Sequence, residues 1–303
     1  MRVLEPVRQG RVGRFGARTH YEVFGAGRPT VLLLMPNVIT QGRAWKAQVS
    51  FLARSYQVVT VDPRGNGASD RPTEAAAYAV RELVDDGWAV LDAVGTRKAV
   101  LCGVCSGASL ALVMAAEQPA RVQGVVAINP SLPLAPPHPW RTRYDFEAAD
   151  PDPELVAEDG WARLNRQSWQ RDWPGFAQFF FEQLFPEPHS TKQIEDCVGW
   201  ATDSTPAVML ADADAPLSGY GTAASARQVC AGIRCPVLVI TGTEDRCQPP
   251  ARGAAVAELT GAEHVVLRGA GHLPMARDPV IVNRLLRDFV GRVVGPGRVD
   301  ALA

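Results

Sequence analysis

The chain has 303 residues, 47% of them hydrophobic, enough for one large domain with an insertion or two modest ones. Lys and Arg total 31 against 32 Asp and Glu, a formal charge of -1, and no basic run interleaves with aromatics. Nucleic acid and anionic membranes are therefore disfavoured as partners.

Met1 to Gly27 carries scattered Arg and Gly without an apolar stretch, and no later run approaches the roughly 18 apolar residues of a membrane span. A cytoplasmic protein is the expectation. Short runs rich in Val, Leu and Ile then alternate with helix-like stretches, the pattern of a mostly parallel sheet covered on both faces. Strands are predicted at Thr30–Leu34, Tyr56–Val61, Ala99–Val104, Gly124–Asn129, Pro236–Thr241 and His264–Leu267. Helices are predicted at Trp45–Arg54, Ala79–Val94, Ser106–Glu117, Pro250–Leu259 and Pro279–Val293, with length separating the two classes.

The alternation lapses from Ser131 to about Gln228, where five of the seven tryptophans fall, at Trp140, Trp161, Trp169, Trp173 and Trp200. This segment reads as a helical insertion, and no repeat or Gly/Ser linker separates it into an independent unit. The expected organisation is an α/β core from residues 1–130 and 229–303, carrying a helical cap at 131–228. Phe176, Phe179, Phe180, Phe181 and Phe185 give the cap an apolar underside that lines a pocket or docks it on the sheet.

Six cysteines without a secretory signal predict reduced thiols rather than a disulfide framework. Cys102 and Cys105 form a CxxC, and Cys230 with Cys235 a looser pair, which together open a zinc or redox reading. Against it, Cys102 sits within an apolar strand, where a free cysteine behaves as a small hydrophobe.

The strongest local signal is Gly103-Val104-Cys105-Ser106-Gly107, directly after a buried strand and before an Ala-rich helix. A sharp strand-turn-helix strains its central residue and needs small flanking residues. Cys105 at the apex is presented above the sheet, facing the positive end of the following helix, which favours a thiolate.

This pattern resembles the α/β-hydrolase superfamily, with cysteine in place of the usual serine of the elbow. The resemblance covers nearly the whole chain. Asp62-Pro63-Arg64-Gly65-Asn66-Gly67-Ala68-Ser69-Asp70 is similar to the superfamily's Asp-x-Arg-Gly-x-Gly-x-Ser loop. Gly242-Thr243-Glu244-Asp245 follows a strand where the family places its acid, and Gly271-His272 follows the last strand, where it places its histidine. The resemblance implies Cys105 as nucleophile, His272 as base and Asp245 as the acid orienting it, with Glu244 as the fallback. A thiol of pKa about 8.5 needs such a base near neutral pH.

The resemblance also implies an oxyanion hole. The Ser106 N–H supplies one donor; the second belongs to the loop after Leu34, where many relatives carry His-Gly and this chain carries Met35-Pro36-Asn37. Proline has no N–H, so Asn37 is the expected donor, unless it serves only as a turn former. Met35, Phe176, Phe180 and Trp200 are the expected pocket residues.

The Cys variant is similar to dienelactone hydrolases, polyester synthases and some biosynthetic thioesterases. A cysteine nucleophile directs the chemistry to an ester, lactone, thioester or activated amide. The expectation is a hydrolase working through a Cys105 acyl-enzyme on a small-molecule acyl substrate with an apolar part, needing neither cofactor nor metal. Two alternatives stand beside it: an acyltransferase or cyclase passing the acyl group to an amine, thiol or alcohol, and a non-catalytic small-molecule binder on the same fold. The sequence does not specify the oligomeric state.

Overall fold

Eight strands form one sheet in the order β1-β2-β4-β3-β5-β6-β7-β8. They are β1 (Arg8–Arg14), β2 (Ala17–Phe24), β3 (Thr30–Leu34), β4 (Gln57–Val61), β5 (Ala99–Val104), β6 (Val122–Ile128), β7 (Val237–Gly242) and β8 (Glu263–Leu267). The computed structural model describes residues 4–36, 38–142, 160–216 and 219–295. From β4 to β8 every neighbouring pair runs parallel, and only the β1-β2 and β2-β4 pairs are antiparallel.

The β1-β2 hairpin is absent from the sequence expectation. Its turn, Phe15-Gly16, has φ of 45° and 71°, the double positive φ that suits a two-residue hairpin loop. At the sheet edge, β1 exposes most of its side chains and carries one apolar residue, Val12, so no hydrophobic alternation announces it.

The six strands read from sequence all exist, two with the expected bounds and the others with ends shifted by at most two residues. Their side chains sort with period two onto the two faces of the sheet. Leu33, Cys102, Val104, Val126, Ile128 and Ile240 join one buried cluster; Leu32, Leu101, Val125, Ala127 and Val239 join the other. Helices Lys46–Leu52 and Pro279–Val294 cover the first face, and Val80–Ala93, Ser106–Glu117 and Pro250–Thr260 the second. The expected helix at Trp45–Arg54 begins as a tighter 3-10 turn over Gly42–Trp45.

Between β6 and β7 the described chain contains helices Pro139–Thr142, Arg166–Arg171, Trp173–Leu184, Thr191–Ala201, Pro206–Ala213 and Ala223–Gly232. Side chains cap several of them: Asn165, Asp172, Thr205 and Thr222 each accept an N–H from the first turn that follows, satisfying amides that have no intrahelical partner. Phe176, Phe179, Phe181 and Phe185 are buried in the hydrophobic cluster that also holds one face of the sheet. Among the described residues no helix is long and apolar enough to cross a membrane.

The loop after β4 braces the end of the sheet. The Asp62 carboxylate accepts the N–H groups of Gly42 and Ala68, both at 2.9 Å, and meets His20 Nδ1 at 3.1 Å. Arg64 is buried and donates Nε and Nη2 to Asp86 at 2.6 and 2.8 Å. Asn66 donates to the Val38 carbonyl at 2.7 Å and to that of Trp200 at 3.0 Å, tying the loop after β3 to the helix Thr191–Ala201.

Candidate active site

The carboxyl ends of β5, β7 and β8 converge, the place where open α/β sheets present ligand-binding groups. Cys105 sits between β5 and the helix Ser106–Glu117 with φ 55° and ψ -122°, a conformation that costs a non-glycine residue roughly 1–3 kcal/mol. The turn closes because its flanks lack side chains. A Cβ on Gly103 would lie 2.3 Å from the Gly107 carbonyl, and one on Gly107 would lie 2.6 Å from the Leu34 carbonyl oxygen. Main-chain bonds hold the strained residue, with Cys105 N–H donating to Ile128 at 3.0 Å and its carbonyl accepting from Ser109 and Ser131 at 3.2 and 3.3 Å.

Asp245 and His272 are both buried, and their side chains meet at 2.7 Å between Oδ2 and Nδ1. The other carboxylate oxygen accepts the N–H groups of Cys247 and Gln248 at 2.7 and 2.8 Å. Glu244 is exposed, so of the two adjacent acids only Asp245 reaches the imidazole. The acid and histidine loops approach closely because position 242 is glycine: a Cβ there would lie 2.3 Å from the Ala270 carbonyl oxygen.

Two further contacts fix the histidine. Asn129, at φ 43° just beyond β6, donates to the His272 carbonyl at 2.8 Å and accepts from the Gly242 N–H at 3.0 Å. The His272 N–H donates to the Leu184 carbonyl at 3.0 Å, at the end of the helix Trp173–Leu184, where a helix leaves its carbonyls without intrahelical partners.

A ligand atom from each of Cys105, Cys247 and His272 lies within 4.8 Å of the other two. Cys105 keeps partial solvent exposure, while Cys247 and His272 are buried. With Nδ1 engaged by Asp245, Nε2 is the imidazole nitrogen left to face the thiols. Gln248 Nε2 points at both sulfurs, 3.7 Å from Cys105 and 3.9 Å from Cys247, and its carbonyl oxygen accepts from Arg252 at 2.6 Å, which sets the orientation of the amide.

The hydrogen bond to Cys247 and then burial push the Cys105 thiol well above its ordinary range, against the pull of His272. Burial opposes charging His272, but the Asp245 carboxylate and the two neighbouring sulfurs outweigh it and hold the imidazole well above its ordinary value. An imidazole so placed can accept a thiol proton through Nε2 once it is neutral, with the buried carboxylate balancing the resulting charge.

Ser106 opens its helix, so its N–H lies among the first-turn amides available to an oxyanion. Asn37 lies outside the described residues. Met35, Phe176 and Trp200 are buried on the same side of the sheet as Cys105 and Phe180 pack. Phe180 is partly exposed and lies edge-on to Trp161, with ring centroids 6.3 Å apart. Trp200 also borders a separate cavity of about 200 Å³ with Phe24, Lys46 and Asp196.

The two cysteine pairs that open the zinc or redox reading do not come together in one site. Cys102 is buried on one face of the sheet and Cys230 on the other, and no disulfide joins any of the six cysteines. The thiol that meets Cys105 is Cys247, which sequence reasoning missed; its signal was a position two residues beyond the expected acid. Asn129, Gln248 and Arg252 were also missed, because each acts through contacts distant in sequence.

The profile of the alpha/beta hydrolase fold family matches residues 31–279. The chain is 25% identical over 275 residues to 3-oxoadipate enol-lactonase 2 of Acinetobacter baylyi, covering 90% of this chain and 93% of that one. It is 26% identical over 286 residues to the putative carbamate hydrolase RutD of Variovorax paradoxus, covering 92% and 98%. Among solved structures, the enol-lactonase from Burkholderia xenovorans LB400 superposes with a TM-score of 0.74 at 21% identity, covering 93% of this chain and 99% of that one. With the sheet order, the elbow and a family match across most of its length, the chain belongs to the alpha/beta hydrolase fold family and is an enzyme of the α/β-hydrolase type.

Proposed function

We propose that this enzyme cleaves an ester, lactone or thioester through a covalent Cys105 acyl-enzyme, with His272 as base and Asp245 as the group that orients and charge-balances it. The observation carrying this reading is the strained thiol at φ 55° beside an imidazole whose Nδ1 meets Asp245 at 2.7 Å. His272 removes the thiol proton, sulfur adds to the acyl carbon, and the oxyanion develops toward the Ser106 N–H. Collapse expels the alkoxide or thiolate, which takes the proton from His272; water then repeats the sequence on the thioester. The curated relatives named for lactone and carbamate hydrolysis support a hydrolytic reaction on a small molecule. The aromatic residues of the helix Trp173–Leu184, clustered on the same side as Cys105, favour an acyl group with an apolar part.

The test is intact-protein mass spectrometry after brief exposure to a panel of activated esters, lactones and acyl thioesters. A mass increment that disappears in Cys105→Ala and forms more slowly in His272→Ala supports the assignment. Faster decay with an added amine or thiol than with water alone would turn it toward acyl transfer. An absent increment together with retained ligand binding would favour a binding protein.

A further inference from the structure

Cys105, Cys247 and His272 come from three loops, at the ends of β5, β7 and β8, yet their ligand atoms lie within 4.8 Å of one another. The edges of a tetrahedral zinc site are about 3.8 Å between sulfurs and about 3.5 Å between sulfur and nitrogen, from bond lengths of roughly 2.3 and 2.0 Å. Side-chain rotations that draw the atoms about 1 Å closer would therefore close the site. We propose that these three side chains form a binding site for a thiophilic divalent cation of the zinc class, and that its occupation holds the enzyme inactive.

The surroundings match what such an ion requires. Two sulfurs and an imidazole select zinc over magnesium or calcium, which prefer oxygen. Asp245 already accepts from Nδ1 of His272 at 2.7 Å, the carboxylate contact that orients metal-bound histidines and raises their basicity. Its other oxygen binds the Cys247 N–H at 2.7 Å, so a single carboxylate positions two of the three ligands. Gln248, oriented by Arg252, aims its amide N–H groups at both sulfurs, where they would stabilise thiolates. Three protein ligands leave the fourth position for water.

On capture each thiol loses its proton to solvent, and so does Nε2 of His272 where the imidazole is charged. Two metal–sulfur bonds and one metal–nitrogen bond form, the thiolates neutralise the dication, and no electron is transferred. The ion occupies the sulfur that would attack the acyl group and the nitrogen that would take its proton, so metal and acyl substrate exclude each other. This inhibition rests on the acyl chemistry proposed above; the binding itself does not.

Reduced wild-type protein would be titrated with Zn²⁺ against a chromophoric chelator and with Co²⁺ for thiolate charge-transfer absorption. The expected result is one ion per chain, with a charge-transfer band reduced in Cys247→Ser and zinc affinity weakened on the order of 10–100-fold in Asp245→Asn. Failure of the wild type to hold an ion, or a Co²⁺ spectrum unchanged in Cys247→Ser, overturns the site. Should Cys247→Ser not fold, wild type alkylated at Cys105 serves instead: loss of the spectrum supports the site and its persistence refutes it. Zn²⁺ should also block the acyl mass increment and a chelator restore it; acylation that proceeds with the ion bound refutes the inhibition. If no increment forms even without metal, the acyl reading fails, while the titration still decides the binding site.

Discussion

Cys247 and His272 are joined through a single carboxylate: Asp245 accepts the Cys247 N–H at one oxygen and meets His272 Nδ1 at the other, both at 2.7 Å. The acid thus does more than orient an imidazole, because it also fixes the loop that brings a second thiol beside Cys105.

Asp245→Asn should slow acylation of Cys105 on the order of 10³–10⁴-fold, because an amide N–H facing Nδ1 selects the wrong imidazole tautomer. Glu244→Gln should leave the rate within about twofold, as expected for an exposed side chain away from the imidazole. Single-turnover mass spectrometry checks both, and equal losses would contradict the assignment of Asp245.

Reaction at Cys105 should rise toward alkaline pH. The hydrogen bond to Cys247 and burial raise the thiol, and His272 is also raised, so the two titrate as a coupled pair. Removing Cys247 takes away the largest upward influence, so Cys247→Ala should move the midpoint of the alkylation rate to lower pH. Iodoacetamide kinetics across pH 6–10, about two units either side of an ordinary thiol, provide the measurement; an unmoved midpoint contradicts the expectation.

Asn129→Ala should destabilise the fold by about 2–6 kcal/mol, since it leaves the Gly242 N–H and the His272 carbonyl without this buried partner at about 1–3 kcal/mol each. Urea denaturation reads the stability. Acylation should slow as well, because the same bonds set the position of the histidine loop.

Acid should weaken the brace after β4. Burial alone would raise Asp62, but bonds from His20, Ala68 and Gly42 reverse this and hold it below the ordinary carboxylate value. Its contribution is therefore present above pH about 4 and is lost as pH falls through the depressed value. Asp62→Asn should lower stability at neutral pH by about 1.5–3 kcal/mol, the worth of hydrogen bonds to a charged group. The difference from wild type should shrink on acidification; a constant gap in thermal melts across pH 2–7, a span chosen around the carboxylate range, would contradict this.

Much of the architecture was legible because local chemistry suffices for it. Continuous apolar runs mark strands covered on both faces, and the Gly-flanked turn at Cys105 is a steric requirement confined to five residues. Order along the chain also placed Asp245 and His272 on the loops where they are found. The β1-β2 hairpin escaped because an edge strand that buries little needs no hydrophobic pattern.

The local sequence by itself determined the α/β alternation, the strained thiol and the loops that carry the acid and the histidine, each being encoded within a few neighbouring residues. Only the tertiary structure decided that Asp245 rather than Glu244 meets the imidazole, that Asn129 and Leu184 hold His272, and that Cys247 rather than Cys102 is the second thiol. These choices depend on contacts between residues as many as 143 positions apart. No local propensity or spacing encodes such contacts; the sheet order and the approach of the β7 and β8 loops create them.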